Sequence, residues 1–283
     1  MPSRHAPSLV AIALSSTPLA DEHRRLDRAL TRVPFPDVAF DASLYAPVAV
    51  ARAREAWRAR MGAEHRSTTV FSQLAAQLIE ANAALDFKTT MLRMATDELR
   101  HTETCGRVVQ VLGGEPICDV DVRPVPLARH RDCTPEMRAL RNVLYTTCLS
   151  EMVSVARLAD EVDQTRDPFL RGASRAILAD EVVHGQFGFH YLRAWRPWID
   201  EKNSRRRDLD AYLAHAFGVV ERALTGELRR VPVPTDDERA LGLADPERIR
   251  AIVLDTLGEA VAPGLDAVGV DGSRAWKRRR RAP

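Results

Sequence analysis

The sequence predicts an all-α protein, a four-helix bundle with a long crossover between its second and third helices and further helices after the fourth. Three observations predict it. Apolar residues recur at helical spacing through four long segments between residues 47 and 200. Proline, threonine and aspartate stand where these segments start, and a glycine pair stands where the second one stops. One short motif also occurs on two of them, as Asp97-Glu98-x-x-His101 and Asp180-Glu181-x-x-His184.

Residues 1–46 read as an extension lying against the bundle. Arg4 followed by Leu9 to Leu14 faintly imitates a secretion signal, but the apolar run is short and Pro2 and Pro7 interrupt its approach, so a flexible extension is expected. A charged helical piece over 21–30 follows, and Pro34 and Pro36 stop it. The first long helix opens on Pro47, suited to a first turn, and runs to residue 81. Helical steps from Glu64 meet Thr68, Phe71, Ala75 and Leu78, which puts the glutamate on the inward face. In the second helix, 84–112, Met91, Met94, Ala95, Glu98, His101, Cys105 and Val109 share one face, whereas Lys88, Arg93, Arg100 and Arg107 fall elsewhere. Gly113-Gly114 closes it, and a crossover of about 20 residues rich in Pro, Asp and Arg, with Pro116, Pro124 and Pro126, leads to the second half.

The third helix follows the cap Thr134-Pro135-Glu136 and brings Leu140, Leu144, Cys148, Glu151, Val155, Leu158 and Val162 together. The fourth follows Asp167-Pro168 and runs to residue 195, with Ile177, Leu178, Glu181, His184, Gly185, Gly188 and Leu192 on one side. A fifth helix over 204–228 and a sixth over 245–262 flank the turn Val231-Pro232-Val233-Pro234. They are expected to cap the bundle or to build a homodimer contact. The organisation is therefore extension (1–46), bundle (47–200) and added helices with a tail (201–283), in one domain.

Composition narrows the function classes. With 45% hydrophobic and 28% charged residues the chain reads as an ordinary globular protein, and its formal net charge of +2 gives no overall field to recruit nucleic acid. Lys277 and Arg278 to Arg281 make a basic tail, expected to be a solvated, disordered terminus. No stretch approaches the roughly 18 apolar residues that a membrane span needs. Four cysteines without a Cys-x-x-Cys suit reduced thiols in the cytoplasm rather than a disulfide scaffold. Neither a glycine-rich phosphate loop nor a nucleophile elbow is present.

The repeated motif carries the chemistry. On a helix, a Glu and a His three residues apart project from one side, so each copy can offer a carboxylate and an imidazole to one metal. For this composition a single Glu-x-x-His is expected by chance about half the time. Two copies are harder to obtain by accident, each with Asp in front and each with a lone glutamate upstream: Glu64 lies 34 residues before Glu98, and Glu151 lies 30 before Glu181. Glu64, Glu98, His101, Glu151, Glu181 and His184 thus form the ligand set of a di-metal carboxylate bundle. Four carboxylates balance two divalent cations in a dry core: two irons, two manganese ions or a mixed pair. The second nitrogen of each imidazole needs a partner, and Asp97 and Asp180 are candidates for it from adjoining helices, with plain surface charge as the alternative.

On these residues the chain resembles the ferritin-like superfamily of di-iron carboxylate proteins over residues 50–200. Glu64-His65-x-Ser67 with Phe71, followed by Asp97-Glu98-x-Arg100-His101, is similar to a group of bacterial ferritin-like proteins. The resemblance implies the same six ligands. Its members include oxygenases, acyl-carrier desaturases, arylamine N-oxygenases and iron-oxidising storage proteins. The missing Cys-x-x-Cys departs from a rubrerythrin-like peroxidase, and the length departs from a storage subunit. An arylamine N-oxygenase would carry a seventh ligand, for which His190 lies off the face of His184, so packing is expected of it.

Around the ligands, Cys105 and Cys148 are read as pocket-lining or, more simply, inert core. Ser67, Thr68 and Ser154 could reach bound oxygen or bond to helix backbone. Tyr191 could relay an electron or fill the core, and Gly185 and Gly188 leave room for close packing or for substrate. The expected function is activation of dioxygen at two irons to oxidise a small organic substrate, with an electron donor that the residues do not identify. Iron oxidation or buffering without an organic substrate is the alternative, and a structural protein that kept the fold is a third.

Overall fold

The computed structural model describes residues 8–11, 19–120, 127–226, 228 and 231–279, which fold as helices with one small strand pair. Strand β1 (Ser8–Ala11) precedes helix α1 (Ala20–Leu30), and a single 3-10 turn (Ala42–Leu44) leads into α2 (Pro47–Glu80). Pro47 occupies the first turn of α2, where a missing N–H costs nothing. Helix α3 (Leu85–Val111) returns after a tight turn and ends at Gly113, whose φ of 76° suits a residue without Cβ.

The crossover contains strand β2 (Ile117–Val120), then α4 (Pro135–Val143) begins under the Thr134 cap. A π-helical segment (Leu144–Glu151) joins α4 to α5 (Met152–Gln164). Helix α6 (Pro168–Asp200) is capped by Asp167, which accepts from Leu170 N at 2.8 Å. The chain then forms α7 (Asn203–Thr225), α8 (Asp236–Ala240), α9 (Pro246–Asp255), a second π segment (Thr256–Val261), α10 (Ala262–Ala267) and α11 (Gly272–Arg278).

Helices α2, α3, α5 and α6, with the π segment before α5, pack side by side, and their apolar faces form two clusters instead of one core. Phe71, Met94, Leu149 and Phe187 belong to one cluster, which α7, α9 and α10 extend through Phe217, Val253 and Leu265. Met61, Cys105, Leu158 and Ile177 belong to the other. Each of the four helical strands of this packing passes from one cluster to the other, and at the crossing level it carries Glu64, Glu98, Glu151 or Glu181. A layer of acid therefore interrupts a core that is otherwise apolar.

Three expectations are corrected. The backbone of Ser8–Ala11 is paired antiparallel with Ile117–Val120, so this part of the supposed flexible extension is held by the crossover. Pro2, Arg4, Pro7 and the stretch after Ala11 lie outside the described residues, as do Pro124 and Pro126. The third helix is not regular, since its π segment inserts a wider turn that 3.6-residue periodicity does not register. The basic terminus is ordered at its start: Lys277 and Arg278 end α11, and Arg279 pairs with Glu221 at 2.5 Å, each side chain 8% exposed, while its guanidinium covers Trp276. Arg280 and Arg281 lie outside the described residues.

Gly188 and Gly185 serve close packing of α6 against the π segment and α5. A Cβ on Gly188 would overlap Cys148 Sγ and Thr147 Oγ1, and one on Gly185 would meet the flexible end of Met152 at 2.9 Å. Gly188→Ala is expected to lower stability by about 1–3 kcal/mol through overpacking, with Gly185→Ala milder, as measured by thermal unfolding.

Candidate metal centre

All six side chains singled out from the sequence meet in the acid layer. Glu98, His101, Glu181 and His184 are each 5% exposed or less, while Glu64 and Glu151 are half-buried on its open side. Two overlapping groups offer one ligand atom apiece within 4.8 Å of each other: Glu64, Glu98, His101 and Glu181, and then Glu151, Glu181 and His184. Glu181 belongs to both. The two imidazole centroids stand 6.0 Å apart.

The pairing crosses between the helical hairpins. His101 Nδ1 on α3 stands 3.1 Å from Glu181 Oε1 on α6 and 3.7 Å from Glu64 Oε2. His184 Nδ1 on α6 stands 3.2 Å from Glu98 Oε1 on α3 and 3.5 Å from Glu181 Oε2. The opposite nitrogens cross in the same way: His101 Nε2 lies 3.5 Å from Asp180 Oδ2, and His184 Nε2 lies 3.5 Å from Asp97 Oδ2. Each aspartate therefore backs the histidine of the other motif copy, an arrangement that holds an imidazole with Nδ1 turned towards the glutamates.

The donor set fits cations. Both ring nitrogens of His101 and His184 are buried without a properly directed hydrogen bond, and so is one oxygen of Glu181. Orphaned polar atoms of this kind are rare in a protein interior, and here they converge on one point. The acids respond to their crowding. Burial, together with the charge of Glu181 and Glu64, pushes the Glu98 carboxyl well above its usual range. Burial, Glu181 and Glu98 do the same to Glu151. Glu181 moves down, because His184 and His101 outweigh its burial. Burial opposes charge on the imidazoles, yet Asp180, Glu181 and Glu64 raise the pKa of His101, and Glu181, Asp97 and Glu98 raise that of His184. The cluster calls for positive charge, supplied by protons or by metal ions.

Sequence reasoning missed the residue that ties the outer layer together. Arg100, assigned away from the apolar face, is buried at 9% exposure. Its Nη1 donates to Asp97 Oδ1 at 3.0 Å and to Asp180 Oδ2 at 3.1 Å, joining the two aspartates that back the histidines. Its Nε donates to Asp27 at 2.9 Å and its Nη2 to Thr31 Oγ1 at 2.9 Å, which fastens the end of α1 over this side. Arg93 adds a bond to Asp97 at 3.3 Å, and Arg32 stands 3.5 Å from Asp180. The available signal was position: Arg100 immediately precedes a candidate ligand, where the second motif copy has Val183.

The secondary candidates separate. Cys105 and Cys148 are fully buried, and burial raises both thiols, with the charge of Glu64 adding to Cys105, so neither is available as a thiolate. Thr68 donates to the backbone of Glu64 at 3.4 Å. Tyr191 is fully buried among Phe87, Phe187 and Trp195 as part of the core. His190, expected to pack, is exposed. Ser67 and Ser154 line a cavity of about 760 Å³ onto which Glu64, Glu98, Glu151 and Glu181 open.

Compared with known protein families and with curated proteins, the chain matches none. Among the described residues no helix is long and apolar enough to cross a membrane.

Removing Arg100 leaves two buried aspartates facing each other. Arg100→Met is expected to cost about 3–5 kcal/mol, as for a broken buried ion pair. Adding Asp97→Asn and Asp180→Asn should recover part of the loss in a double-mutant cycle read by urea unfolding.

Proposed function

We propose that this chain is a ferritin-like di-metal protein, with two irons as its resident ions, that activates dioxygen to oxidise a small organic molecule. The observation that carries the reading is the meeting of four glutamates and two histidines in two groups sharing Glu181, with both Nδ1 atoms turned to the glutamates and without a directed hydrogen bond. Glu64, Glu98 and His101 with Glu181 would hold one ion, and Glu151 and His184 with Glu181 the other. Two redox-active ions bound there would supply the oxidising power. The remaining tasks fall to the chain. Asp97 and Asp180 keep each imidazole turned with Nδ1 inward, and Arg100 holds both aspartates in place. Phe71, edge-on to His184 at 5.4 Å, and the two apolar clusters exclude water from the closed side.

The cavity favours an organic substrate over iron handling alone. Its volume is in the range of small-molecule sites, its floor is the glutamate cluster, and Leu158, Ile177, Leu243 and Ile249 contribute apolar wall. An iron-conducting path would need acid along its length. Here the acids outside the glutamate cluster, Asp160 and Glu161, are paired with Arg248 and Arg60.

Anaerobic loading should bind two Fe(II) per chain, and an oxygen pulse should then give oxygen uptake with a transient visible absorption. Two bound irons with neither response would overturn the reading. Glu98→Ala is expected to lose metal, by elemental analysis, while far-UV circular dichroism keeps its helical signal. Full metal retention would show that the ligands are wrongly assigned.

A further inference from the structure

The charges around the cavity pair off, with one exception. Arg52 donates to Glu238 at 2.7 Å, and Asp160 accepts from Arg248 at 2.8 Å. Arg60 holds Glu161 through both guanidinium nitrogens, and Glu161 also accepts from Ser174 at 2.6 Å. The four glutamates on the floor would be balanced by two divalent cations, as proposed above. Arg157, on α5 and on the cavity wall, makes no hydrogen bond and no contact ion pair among the described residues. It is exposed to solvent yet partly enclosed by protein. Burial and then repulsion from Arg60 lower its pKa, and the one carboxylate that acts on it, Glu161, is already committed to Arg60.

We propose that Arg157 is the anion anchor of the cavity and that the substrate is an organic monocarboxylate with an apolar body. The guanidinium fork matches a carboxylate with two parallel N–H bonds. One uncompensated positive charge suits a monoanion and leaves a phosphate dianion overcharged. Between Arg157 and the glutamate floor, Leu158, Ile177, Pro232, Leu243, Ile249 and Ile252 offer apolar surface to the body of the molecule. A molecule held by its acid group at Arg157 presents the part away from that group to the floor. Oxidation remote from the carboxylate is the consequence, and this step and the charge balance of the floor rest on the metal reading.

The probe is octanoate, with octan-1-ol as its uncharged counterpart, titrated calorimetrically into the protein as purified and after saturation with zinc. Octanoate is expected to bind more tightly than octan-1-ol. Arg157→Gln should weaken octanoate at least about tenfold, the effect of losing a charge-assisted hydrogen-bond pair, and leave octan-1-ol unchanged. Arg157 makes no hydrogen bond or ion pair among the described residues, so the variant is expected to unfold at the wild-type temperature. Equal affinity of wild type and variant for octanoate, equal affinity of wild type for acid and alcohol, or no octanoate binding to either form would overturn the proposal. The readout involves no turnover, so its failure leaves the di-metal reading standing, and Arg157-dependent binding would survive a failure of the oxygen experiment.

Discussion

Four carboxylates forced into one dry layer are the constraint on which the rest of the structure depends. Like charges at this separation in a low-dielectric interior cannot all ionise without positive charge among them. The chain answers in nested shells. Two imidazoles stand among the glutamates, two aspartates stand behind the imidazoles, and Arg100 stands behind the aspartates with Arg93 and Arg32 beside it. Sign alternates outward at every step. Polar order of this kind is costly in the core, and the two apolar clusters on either side offset the cost by surrounding it with ordinary packing.

What the sequence made legible were the features whose geometry is local. Glu and His three residues apart share a helix face wherever the helix goes, so the ligand set could be read before any tertiary information. The caps at Pro47, Thr134 and Asp167 depend on a few adjacent residues and stand where they were expected. Asp97 and Asp180 were placed near histidines, but that each serves the histidine of the opposite motif emerges only from the packing of α3 on α6. Arg100 escaped because a helical wheel assigns a cation to solvent unless it knows that two buried aspartates and the end of α1 converge on it. The π segment escaped because counting in steps of 3.6 carries a reader straight through it.

That π segment ends on Glu151, so the irregular turn and the glutamate are adjacent facts. Widening the turn displaces the register of one helix relative to its neighbours. Gly188 and Gly185 on α6 accept the resulting bulk of Thr147, Cys148 and Met152. A small residue on one helix and a swollen turn on the next are complementary halves of one packing solution. Glu64 and Glu151, the least buried of the six candidate ligands, lie on the side that faces the cavity.

The centre is therefore polar in direction as well as in composition. Behind it, Arg100 binds Asp27 and Thr31, and α1 closes the layer against solvent. In front, Pro232, Leu243, Ile249 and Ile252, all beyond the four central helices, complete the cavity wall. Neither the segment before Pro47 nor the one after Asp200 contributes a ligand, yet one shuts the site and the other shapes its entrance. The four central helices supply all six candidate ligands. Deciding from which side a molecule approaches requires a closed face and an open one, and the flanking segments provide that difference.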